Sequence, residues 1–154
     1  MDYPIWINGA WKPAHEAHIS VKDIGFLRGY GIFDFFRTVD YKPLFLEHYL
    51  DRFITSAEKT YLPICLSREE LRNSILELIE KNDLRQGGIR MVLSGGLSDN
   101  HFSPAAGKLF LFAEDLSFPS PEKYAQGPQQ PGQQPGKDPI AGERPQEADP
   151  GVPP

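Results

Sequence analysis

Residues 23–62 constrain this chain more than any other stretch. They open as DIGFLRGYG, whose three glycines reach backbone conformations closed to residues with a Cβ. The chain then enters IFDFFRTV, rich in Phe, Ile and Val, which predicts a strand over residues 32–39. Residues 40–43 turn it back. Leu46, Tyr49, Leu50, Phe53, Ile54, Ala57 and Tyr61 then recur at helical spacing and give a helix over 46–62 one apolar stripe. Such a stripe must be covered, and the preceding strand supplies the sheet.

The flanking segments extend the pattern. Alternating residues 5–8 and 10–12 meet at Asn8-Gly9, the strongest short hairpin signal. Ser67 followed by Glu70 reads as a capping box. It opens a second helix with Leu71, Ile75, Leu78 and Ile79 on one face, ending near Asn82. Residues 89–93 and 109–113 are strands around a Gly/Ser/Asn-rich loop. No internal repeat is present. Strands, two helices and strands again predict an α+β domain: two main helices against one face of a small, largely antiparallel sheet.

Composition divides the chain at Gln126. Residues 1–126 carry the globular pattern. Residues 127–154 hold eight Pro, five Gly and five Gln without an aromatic. A segment so poor in apolar groups cannot offset a backbone-ordering cost of roughly 1–2 kcal/mol per residue, so a disordered tail is expected. PQQPGQQP has no flanking basic residue of the kind an SH3 ligand uses.

A net charge of −5 gives no general attraction to nucleic acid or to an anionic membrane. Cys65 is the only cysteine, which excludes an intramolecular disulfide and a Cys-rich zinc site. The start MDYPIWINGAW lacks the basic and apolar regions of a signal peptide, and no run approaches a membrane span. A soluble, cytoplasmic protein is expected. His15, His18 and His48 have no metal-like partner set, so no metal site is expected.

Several residues invite a chemical role. On the first helix Arg52 lies roughly 140° from the centre of the apolar stripe, outside the main core. By position alone it is an exposed arginine near Glu47 and Asp51. Phe33 and Phe35 share one face of their strand and Phe36 takes the other, with Phe35 and Phe36 as core candidates. Arg37 and Arg90 are strand arginines, either solvated or aimed at an anion. The loop SGGLSDNH, ending at His101, opens no helix and has no lysine, so it is not a P-loop.

The loop and strand DIGFLRGYGIFDFFRT, followed by LEHYLDRFITSAEKTYL, resemble the N-terminal domain of the class IV, branched-chain-type, pyridoxal-phosphate aminotransferases. That family also holds D-amino-acid aminotransferases and aminodeoxychorismate lyase. The resemblance covers about residues 3–125. It implies that Arg52 matches the arginine of an H-L-x-R motif that binds the cofactor phosphate, with Tyr49 in place of the histidine. Phe33 would line the substrate cleft, with phenylalanine as in the branched-chain type. Arg37 and Arg90 would face substrate, Arg90 matching a Y-I-R strand. Asp99-Asn100-His101 keeps the histidine of an R-x-H carboxylate trap without its arginine. Pyridoxal 5'-phosphate would be the cofactor, and an amino acid with a 2-oxo acid the small-molecule substrates.

The same resemblance implies a lysine that holds the cofactor covalently. The family carries it in a K-S-x-N-Y segment beyond this domain, and Lys108, Lys123 and Lys137 do not match it. The expectation is a truncated aminotransferase, inactive alone and without covalent cofactor, its tail the mark of a frameshifted or truncated reading frame. The alternative is a non-catalytic interaction module derived from that domain. Loss of a partner domain would bare the apolar run 32–39 and favour self-association.

Overall fold

The computed structural model describes residues 3–116. The expected tail at 127–154 and the boundary at 126 lie outside them.

Among the described residues, six strands form one antiparallel sheet. In chain order they are β1 (Ile5–Ile7), β2 (Ala10–Lys12), β3 (Gly31–Val39), β4 (Lys42–Pro43), β5 (Gln86–Ser94) and β6 (Leu109–Glu114), and in space β2-β1-β6-β5-β3-β4. Three α-helices accompany it: α1 (Ile24–Arg28), α2 (Leu46–Lys59) and α3 (Arg68–Lys81). The α+β class and the two main helices are as the sequence predicts.

Local chemistry accounts for the turns. Asn8 at φ 45° and Gly9 at φ 91° make the hairpin between β1 and β2, since a tight hairpin needs positive φ at both central residues. Asp40 and Tyr41 make the corresponding turn between β3 and β4 at φ 47° and 64° without a glycine. The Ser67 hydroxyl accepts from the Glu70 N–H while the Glu70 carboxylate accepts from the Ser67 N–H, completing the expected capping box on α3.

The register decides which face is covered. Phe36 pairs with Ile89, and Asp34 with Met91, in β3–β5; Met91 pairs with Leu111 in β5–β6. These positions share one face. The apolar ones pack with Leu50 and Phe53 of α2 and Leu71, Ile75 and Leu78 of α3 into the core, each almost wholly buried. Phe33, Phe35, Arg37, Arg90, Val92, Phe110 and Phe112 alternate onto the opposite face, which no helix of the described residues covers.

Three details depart from the sequence reading. Residues 24–28, expected as loop, form α1, with the Asp23 carboxylate accepting from the Gly25 N–H at 2.7 Å and Gly29 at φ 67° ending it. Tyr61 lies past the end of α2 and is exposed, because φ 56° there has already left the helix. Phe35 stays half-buried on the open face rather than in the core.

Candidate functional site

Three groups of candidate residues emerge, on two faces of the sheet and in one loop.

The first is built on Asp34 and Arg52. Strand alternation turns Asp34 to the helix-covered face beside Phe36 and Thr38, where it is only 4% exposed. An ionised carboxylate in that setting needs a partner. Arg52 on α2 provides it: Nε donates to Asp34 Oδ2 at 2.8 Å, and Nη2 donates to Oδ1. The Phe35 N–H donates to Oδ1 as well, at 2.9 Å. The hydrogen bonds to Asp34, and then its charge, push the Arg52 guanidinium further above its ordinary pKa, so it remains a cation.

The partner differs from the expectation of loose pairing with Glu47 or Asp51. Both acids instead hold Arg68 of α3, Glu47 at 2.8 Å. Asp51 is adjacent to Arg52 on the helix, and neighbours at that spacing diverge.

The Arg52 side chain is nonetheless 64% exposed. The Arg52 guanidinium carbon lies over the Tyr49 ring, 4.9 Å from its centroid, and Tyr49 is itself packed on Phe36 at 5.1 Å between centroids. Phe45, His48, Tyr49 and Arg52 line an open pocket. A cation with free N–H groups at its mouth and aromatic walls suits an anion attached to a flat ring. None of the lining residues is a lysine.

The second group is on the open face. Phe33 is 68% exposed, and Arg90 lies 5.6 Å from its ring and 5.2 Å from that of Phe35. Glu114 of β6 takes the Arg90 guanidinium with both oxygens, Nη2 to Oε2 at 3.1 Å. That contact raises the Arg90 pKa. The pair is therefore neutral as a unit and framed by two phenylalanines. Gly88 leaves room for this arrangement, since a Cβ there would meet the Phe35 ring at 2.4 Å. Arg37 is exposed farther along β3.

The third is the loop after β5. His101 is exposed at φ 58°, its carbonyl accepts from Arg28 Nη1 at 3.5 Å, and Phe102 lies under Arg28 at 4.3 Å. Sequence-predicted residues Phe33 and Arg90 thus meet directly, whereas Arg52 sits across β3 from them.

Asp34 and Glu114 were not singled out in the sequence. Asp34 had a readable signal: it is an acid in phase with Phe36 on an aromatic strand, and such a position demands a cation. Glu114 had none, since its pairing depends on the β5–β6 register.

The amino-transferase class IV family model matches residues 31–137. The chain belongs to that family. This class IV domain is 33% identical over 116 residues to a putative branched-chain-amino-acid aminotransferase of Methanocaldococcus jannaschii, covering 75% of this chain and 40% of the relative. It is 33% identical over 101 residues to a D-alanine aminotransferase of Staphylococcus haemolyticus, covering 65% of this chain and 36% of that protein. Among solved structures, a T.th. branched-chain amino acid aminotransferase with pyridoxamine 5'-phosphate superposes with a TM-score of 0.70 at 26% identity, over 79% of this chain and 42% of that one. The class IV chain spans about 40% of the length of the relatives it matches. No helix among its described residues is long and apolar enough to cross a membrane.

Proposed function

We propose that residues 3–116 form one wall of a pyridoxal-phosphate site in an aminotransferase of the branched-chain kind, moving an amino group from an amino acid to a 2-oxo acid. The observation that carries this reading is the Arg52 guanidinium, held by a buried carboxylate yet open to the Phe45–His48–Tyr49 pocket. The cofactor, when bound, supplies the electron sink for chemistry at the amino acid's α-carbon.

The chain's own residues have simpler tasks. Arg52 grips the phosphate, and Tyr49 confines the guanidinium from one side. Phe33 lines the substrate side with Arg90. Because Glu114 neutralises Arg90, that wall suits an apolar, branched side chain better than an acidic one. His101, in the loop after β5, is the candidate for the substrate carboxylate, and Arg37, six positions along the β3–β5 ladder from that end, would serve a different anionic group.

No described lysine lines the pocket, and proton transfer at the α-carbon needs such an amine. The 154-residue chain by itself is therefore expected to turn over neither branched-chain nor D-amino acids. Two measurements test the reading. Arg52→Ala should weaken binding of pyridoxal phosphate at least tenfold in a fluorescence titration, and equal affinity would refute the phosphate role. Turnover by the purified chain, abolished by replacing one of its own lysines, would refute the inactivity.

A further inference from the structure

Asp34 is an odd residue to find beside an anion site. Its negative charge opposes phosphate, and an aliphatic residue on that core-facing position would avoid burying a carboxylate. We propose that Asp34 is the positioning residue of the phosphate site, locking Arg52 so that one edge of its guanidinium is left for the anion. This rests on the phosphate role of Arg52 proposed above.

Donor arithmetic carries the argument. A guanidinium has five N–H groups in a rigid plane. Asp34 takes Nε–H and one N–H of Nη2. Three remain, two on Nη1 and one on Nη2, and they form the outer edge that matches two phosphate oxygens. The carboxylate is fixed in turn by the Phe35 N–H at 2.9 Å. The Tyr49 ring under the Arg52 guanidinium carbon, backed by Phe36, restricts it further. An arginine side chain otherwise loses much rotamer freedom on binding, and here the bonds to Asp34 supply part of that ordering before the anion arrives.

Positioning and simple electrostatics predict opposite signs, which makes the proposal decidable. The full chain is titrated with inorganic phosphate and with pyridoxal phosphate, comparing wild type, Arg52→Ala, Asp34→Asn and Asp34→Glu. Removing the carboxylate makes the site one unit more positive, so charge alone predicts tighter binding in Asp34→Asn. Positioning predicts three- to tenfold weaker binding there, with recovery to within twofold in Asp34→Glu. Unchanged affinity in Arg52→Ala removes the phosphate reading and this inference with it. A loss in Arg52→Ala with equal or tighter binding in Asp34→Asn overturns this inference alone.

Should Asp34→Asn lose its fold by circular dichroism, the native chain decides through the nitrogen-15 spectrum of the arginine side chains. The Arg52 Nε–H signal is expected to be visible at neutral pH and to persist when phosphate binds, because Asp34 keeps that proton. Its loss on adding phosphate would show the anion displacing Asp34 and would overturn the proposal.

Discussion

Arg52→Ala is a substitution for which chain position and tertiary contact predict different stabilities. As an exposed arginine in mid-helix, replaced by the best helix former, it should change stability by less than about 0.5 kcal/mol. Asp34 alters that expectation. The Asp34 carboxylate is nearly sealed on the core face of β3, and removing Arg52 leaves it only the Phe35 N–H. A stranded buried acceptor costs about 1–3 kcal/mol when neutral and more when charged. The exposure of Arg52 itself shows that water reaches the pocket mouth, and truncation would admit more of it. The cost to Asp34 should therefore fall back into the neutral range, about 1–3 kcal/mol. Urea unfolding followed by the fluorescence of buried Trp6 measures it. Adding Asp34→Asn to Arg52→Ala should then cost little more, since the charge that was stranded is gone. A neutral Arg52→Ala, or two costs that simply add, would refute the reasoning.

Other expectations follow from the same contacts. Leu50→Ala, at a fully buried position of α2, should cost about 2–5 kcal/mol in the same urea titration, and a loss below about 1 kcal/mol would mean the α2–sheet seam is loosely packed. Ser67→Ala should cost about 1 kcal/mol through the α3 cap. The Ser67 N–H and hydroxyl hold the Glu70 carboxyl below its ordinary pKa, so the stabilisation is complete above the ordinary glutamate value and is lost as pH falls through the lowered one. The deficit of Ser67→Ala should shrink with acid, because the variant lacks the hydroxyl bond to the Glu70 carboxylate while keeping the one from the backbone N–H, and a deficit independent of pH would exclude that hydroxyl bond. The open sheet face should drive self-association at micromolar concentration, read as mass by light scattering. Phe33→Ser should reduce it and removal of residues 127–154 should not; a clean monomer in concentrated wild-type solution would show that this face does not associate.

Much of the architecture is legible in the sequence because its causes are local. The Asn8-Gly9 hairpin, the Ser67–Glu70 box and the stripes of α2 and α3 each depend on residues a few positions apart, and the structure differs from the sequence reading only at their ends. The α1 turn escapes such a reading although Asp23 and Gly29 flank it as caps, since five residues are too few for a periodic stripe. The family is legible for a related reason: the glycine loop, the aromatic strand and the helix that follows form one continuous run. The roles of Phe33, Arg37, Arg52, Arg90 and His101 stay proposals that the experiments above address.

The sequence by itself determined which residues share a face, because a side chain's direction follows from its place in its own strand or helix. It placed Arg52 off the apolar stripe and Phe33 opposite Phe36. Only the tertiary structure decided which charges meet. Asp34 and Arg52 are 18 residues apart, Arg90 and Glu114 are 24, and Arg68 reaches back 17 to Asp51 and 21 to Glu47. Ion pairing falls off with distance in space and is indifferent to separation along the chain, so these partners became visible once the sheet register and the seat of α2 were set.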